Sequence, residues 1–93
     1  MSVHTEAILM VGLSVKELGI SEDDFWNDIE PQGFIRTQPW YDCSWNYSFI
    51  GIPLVQSSNN KVLTSWPDTT ASVSHFEKVL GKKPQVLLTL NID

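Results

Sequence analysis

The first run of hydrophobic positions, residues 6–13, is apolar on both alternating faces. Ala7, Leu9, Val11 and Leu13 fall on one face, with Ile8, Met10 and Gly12 on the other. A strand apolar on both sides is a central strand, covered above and below. The pattern then changes period. Ser14 with Glu17 three residues on, and Ser21 with Asp24 three residues on, are two capping-box starts. Leu13 with Leu18, and Ile20 with Phe25, stand at the corresponding staple positions. Gly19 stops the first helix, and Pro31 and Gly33 end the second, whose apolar face is Phe25 and Ile29 bordered by Trp26.

Phe34 to Gln38 has the character of a short strand broken at Pro39, and Trp40 to Asn46 is rich in turn formers. Tyr47 to Gln56 predicts a strand with Ile50, Ile52 and Leu54 on one face. Pro53 has no amide hydrogen, so that strand is an edge there or carries a bulge. Ser57-Ser58-Asn59-Asn60 is a turn, from which Lys61 to Trp66 returns as a partner strand in the main hairpin.

Asp68, Thr69 and Thr70 are caps for a helix whose apolar positions are Val73, Phe76, Val79 and Leu80. Gly81 and Pro84 end it, with Lys78, Lys82 and Lys83 at its negative end. Val86, Leu88, Leu90 and Ile92 alternate with Leu87, Thr89 and Asn91, which predicts a half-buried strand. Strand, helix, strand, strand, helix, strand is the order of a ferredoxin-like βαββαβ sandwich. The expected fold is α+β: an antiparallel sheet of 4–5 strands with two helices on one face, in a single domain over residues 1–93.

Charge changes the picture in one region. Residues 17–42 carry a net charge of −6, whereas the remainder carries +1. Glu22, Asp23 and Asp24 have a helix-capping role in the first turn. The acidic field opposes nucleic-acid phosphates and anionic membranes and favours a basic protein partner. A lone cysteine gives no internal disulfide, and the apolar run at residues 7–13 is too short to span a bilayer, so the expected location is cytoplasmic.

Chemistry is sparse. Cys43 as a nucleophile needs a base, and His4 and His75 stand in no signature spacing with it. No paired ligand spacing marks a metal site, no glycine motif cradles phosphate, and no cofactor is implied. The RNA-binding version of this fold class needs exposed aromatics and basic neighbours on the sheet, and the first strand offers only aliphatic residues.

What stands out is the cluster of rings. Eight of ten aromatics lie between Phe25 and Phe49, and Trp40, Tyr41, Trp45 and Tyr47 fall within eight residues among Asp42, Ser44 and Asn46. Such rings dominate binding hot spots, although they serve equally as a lid over a sheet, a role a second copy of the chain could also fill. The expectation is a small acidic binding protein without catalysis. It would act through Trp40, Tyr41, Trp45 and Tyr47 with an acidic rim of Asp23, Asp24, Asp28 and Glu30. An inhibitor or accessory protein, of a mobile element for instance, fits this description. The alternative is a small-ligand-binding domain with an aromatic-lined pocket at a homodimer interface.

Overall fold

A computed structural model describes residues 5–39, 44–56 and 68–92. It is a small α+β domain with a four-stranded antiparallel sheet and three short helices. Strand β1 runs Thr5–Ser14, β2 Ile35–Thr37, β3 Phe49–Gln56 and β4 Gln85–Ile92. Their order across the sheet is β2-β3-β1-β4. Helix α1 covers Val15–Leu18, α2 Glu22–Asp24 and α3 Thr70–Leu80. The expected turn at 57–60 and the return strand 61–66, with the hairpin they would form, lie outside the described residues.

Local chemistry sets the element ends. The Ser14 hydroxyl accepts from the Glu17 amide at 3.3 Å, and the Ser21 hydroxyl accepts from the Asp24 amide at 3.1 Å. Each satisfies a helix N–H that has no partner within the helix. Gly19, Gly33 and Gly81 terminate their helices at φ of 68°, 96° and 73°, a left-handed conformation that side chains with a Cβ resist. At the start of α3 the Asp68 carboxylate accepts from the Thr70 amide at 3.0 Å. That backbone bond, aided by the Thr70 hydroxyl, holds the Asp68 carboxyl below its ordinary value.

Strand β1 is central and buried on both faces, as its doubly apolar pattern requires. Leu13 and Val11 are buried on one side, and Ile8 and Met10 on the other. It pairs with β3 (Leu13 opposite Ile50, Gly12 opposite Gly51) and with β4 (Leu9 opposite Leu88, Ile8 opposite Thr89). The proline in β3 coincides with a bulge. Met10 faces Pro53 and Leu9 faces Val55, which leaves Leu54 as the extra residue. Leu54 is therefore displaced from the regular alternation with Ile50 and Ile52.

The sheet is strongly curled. In a flat sheet, β2 and β4 would stand three strand spacings apart, about 14 Å. Yet the Thr37 and Thr89 hydroxyl oxygens are 3.4 Å apart. The Thr89 hydroxyl donates to the Leu90 carbonyl, so Thr37 is the donor between the two. The register puts both threonines on the face of Ile8 and Met10, which is thus the concave one.

The close approach of Gly12 and Gly51 at the same face permits this bend. A Cβ on Gly51 would stand 2.2 Å from the Val11 carbonyl oxygen, and one on Gly12 2.4 Å from that of Ile50. Neither backbone oxygen can yield without breaking the ladder.

The convex face carries the helices. Leu13 and Ile50 join Val15, Phe25, Ile29, Phe34 and Phe76 in one buried cluster, with Leu18, Ile20, Trp45, Ile52, Val79 and Leu80 packed around it. Phe34 and Phe76 meet at a centroid distance of 5.7 Å. Burying each ring stabilises the fold by roughly 1.5–3 kcal/mol. Two polar bonds tie α3 to the earlier helices. His75 Nε2 lies 2.9 Å from the Gln32 carbonyl oxygen, which can only accept, so Nε2 carries the hydrogen. The Lys82 ammonium donates to the Glu17 carbonyl.

Strand β4 is half-buried, and the structure decides which of its faces turns inward. Val86, Leu88 and Leu90 are exposed by 42%, 76% and 48%, whereas Leu87 and Thr89 are half-buried. The curl turns Leu87 and Thr89 to the concave interior. It leaves the more apolar set on the convex side of an edge strand, where the helices do not cover it.

Two expectations follow. Gly51→Ala should destabilise the protein by about 2 kcal/mol or more in urea denaturation; an unchanged midpoint would mean the sheet does not need the close approach. Asp68→Ala should lower the melting temperature at neutral pH. Because the folded carboxyl titrates below the ordinary 3.8, its contribution is complete above that value and is lost as pH falls through the lower folded one. The gap between native and variant melting temperatures should therefore close in acid, and a pH-independent gap would contradict the assignment.

Candidate functional site

The second helical segment is not a uniform α-helix. After α2 the chain widens into a π turn at Phe25–Ile29, closed by the Glu30 amide bonding to the Phe25 carbonyl, and tightens to a 3₁₀ turn at Glu30–Gln32. Such wide turns are rare and recur at functional sites. Here it keeps Phe25 and Ile29 buried while Trp26 stands 44% exposed. The Trp26 indole N–H donates to Glu22 Oε2 at 3.2 Å, and its ring meets Phe25 edge-on at 4.8 Å. Asp23, Asp24, Asp28 and Glu30 are all exposed on the same segment.

Trp45 and Tyr47 sit on a separate 3₁₀ turn, Trp45–Tyr47, which leads into β3. Trp45 is half-buried and packs on the core, tilted against Phe25 at 5.6 Å. Its indole N–H donates to the Ile20 carbonyl at 3.0 Å, and the Arg36 guanidinium stands 5.5 Å from its ring centre. Arg36 Nε also donates to the buried Ser48 hydroxyl at 2.8 Å. The Ser48 carbonyl accepts from the Val15 amide at 3.0 Å. Ser48 therefore secures the turn to β2 through its side chain and to α1 through its backbone.

Tyr47 points the other way, 59% exposed, with the Lys16 ammonium 5.0 Å from its ring centre. Lys16 and Arg36, the nearest cations in sequence to the acidic segment, thus lie against Tyr47 and Trp45.

The acidic segment and the 3₁₀ turn meet at Phe25, which touches both Trp26 and Trp45. The exposed rings of this assembly are Trp26 and Tyr47. Trp26 was legible only as the border of a helix face; its exposure follows from the π turn, which has no sequence signature. Trp40 and Tyr41 lie outside the described residues, as do Asp42, Cys43 and His4. His75 is occupied with the Gln32 carbonyl. No group of histidine, cysteine or acidic side chains that could hold a metal occurs among the described residues. No helix among them is long and apolar enough to cross a membrane. Compared with protein-family models, curated proteins and solved structures, the chain gives no match in any of the three.

The two described tryptophans should separate in stability. Trp45→Ala is expected to cost roughly 2–3 kcal/mol, at or just below the range for fully buried tryptophans. Trp26→Ala should cost under about 1 kcal/mol. Equal losses in chemical denaturation would refute the division between a ring that closes the core and one that faces outward.

Proposed function

We propose that this domain is a non-catalytic binding protein that engages a basic protein partner through its acidic and aromatic surface. The observation that carries the reading is the exposure of Trp26 and Tyr47 beside a helical segment bearing Asp23, Asp24, Asp28 and Glu30. Large amphipathic rings supply buried area on binding at low entropic cost, and exposed carboxylates around them steer a cationic partner and fix its orientation. Trp45 supports the surface from beneath; Trp40 and Tyr41, which lie outside the described residues, belong to the reading by sequence alone.

A net charge of −5, concentrated in one region, suits a small inhibitor or accessory protein that occupies a basic groove, including one that otherwise holds nucleic acid. Direct contact with nucleic acid is disfavoured by the same field. We place the working compartment in the cytoplasm. We also take the scaffold to be a ferredoxin-like sandwich; the order β2-β3-β1-β4, with every neighbouring pair antiparallel, supports this.

The reading is tested by affinity capture from native lysate with the native chain, a Trp26→Ala/Tyr47→Ala variant and an Asp24→Asn/Asp28→Asn variant, each shown to be folded. The expected result is a partner whose capture is lost with the first variant and loses its salt dependence with the second. A partner retained equally by all three would remove this surface from consideration.

A further inference from the structure

The geometry points to a second interface, on the opposite side of the fold's logic from the aromatic surface: β4 pairs antiparallel with β4 of a second copy of the chain. The two sheet edges are very unlike. The β2 edge is three residues long and carries Arg36, a short, charged edge of the kind that resists pairing. The β4 edge is eight residues long, Gln-Val-Leu-Leu-Thr-Leu-Asn-Ile, with no charge and no proline anywhere in it. It also exposes Val86, Leu88 and Leu90 side by side on its convex face. An uncharged, proline-free edge with an exposed apolar stripe lacks two of the main devices that keep such strands apart.

The strand also matches itself. A two-fold axis at Leu88 sets Leu88 against Leu88 of the partner, Val86 against the partner's Leu90, and Leu90 against the partner's Val86. All three exposed apolar residues then find apolar neighbours across the join, on one face. Leu87 falls opposite the partner's Thr89 on the concave face, and Gln85 opposite the partner's Asn91, so the polar positions match as well. Shifting the register by one residue would turn each copy's leucines against the other face of its neighbour. A strand can pair with an identical strand about a two-fold axis lying perpendicular to it only in antiparallel sense, which makes the contact closed and limits it to two copies.

Charge agrees with this arrangement. Lys82 and Lys83 precede β4, and Glu6 stands in register with Asn91 at its far end. Antiparallel pairing brings each copy's lysine end toward the other's Glu6 end. The Thr37–Thr89 bond reaches β4 through side chains on the concave face, and β2 makes no ladder with β4, so among the described residues no strand pairs with its outer main-chain groups.

Sedimentation velocity from sub-micromolar to high micromolar protein tests the proposal, on the native chain and on Leu88→Lys. Leu88 is the most exposed of the three, so the lysine is tolerated by the fold, and circular dichroism confirms that. The native chain is expected to dimerise, with the variant's dissociation constant raised by about tenfold or more. The Trp26→Ala/Tyr47→Ala variant should dimerise like the native chain, which keeps this interface distinct from the aromatic one. A native chain that stays monomeric throughout, or a folded Leu88→Lys variant that dimerises unchanged, would overturn it.

Discussion

The backbone contact between Gly12 and Gly51 is the constraint on which the architecture rests. At this cross-strand pair the two central strands approach so closely that no Cβ fits on either side. The ladder is irregular one turn of the pleat away, at the bulge around Pro53, and the outer strands come together across the concave face. Thr37 and Thr89 meet across the hollow, and Ile8 and Met10 are enclosed beneath them. The same curvature turns Leu87 and Thr89 inward and leaves the leucine stripe of β4 outside. The close approach and the curl together set apart the concave interior, the helix-covered face and the exposed stripe of β4.

The helical layer is secured by few but varied contacts. Three phenylalanines fill the space between sheet and helices, and polar bonds place the pieces around them. Ser48 joins Arg36 and Val15, Trp45 joins Ile20, and His75 joins Gln32. The Arg36 bond joins two side chains, whereas the Val15, Trp45 and His75 bonds each engage a backbone group in or beside the short helices. Helices of three or four residues cannot satisfy their own termini, so local caps and groups from distant segments supply the partners. The surface around Trp26 is held at its base by the buried Phe25 ring and at its rim by the bond from the indole to Glu22.

Much of this was legible in the sequence wherever local chemistry decides. The caps at Ser14 and Ser21 and the stops at Gly19, Gly33 and Gly81 depend on residues within one turn. The double burial of β1 follows from apolar residues on both its faces, and the bulge at Pro53 from a missing amide hydrogen. Orientation was not legible. A period of two says that Val86, Leu88 and Leu90 share a face but not which way the face turns, and with Leu87 apolar too, composition could not decide. The roles of Trp26 and Trp45 were hidden for a similar reason. Identical side chains differ in burial because of a one-residue widening of a helix and a hydrogen bond from Trp45 to Ile20, 25 residues away.

The sheet order also bears on how the chain finds its fold. Strand β1 comes first, yet its two neighbours are β3 and β4, and β4 is the last element. The hollow closes through a bond between residues 52 apart. Contacts of that separation form only after a large loop has been closed against chain entropy, which slows the search for the native state. Until β4 arrives, β1 lacks the ladder along one of its edges. The element that makes this fold central is therefore also the one that waits longest for its partners.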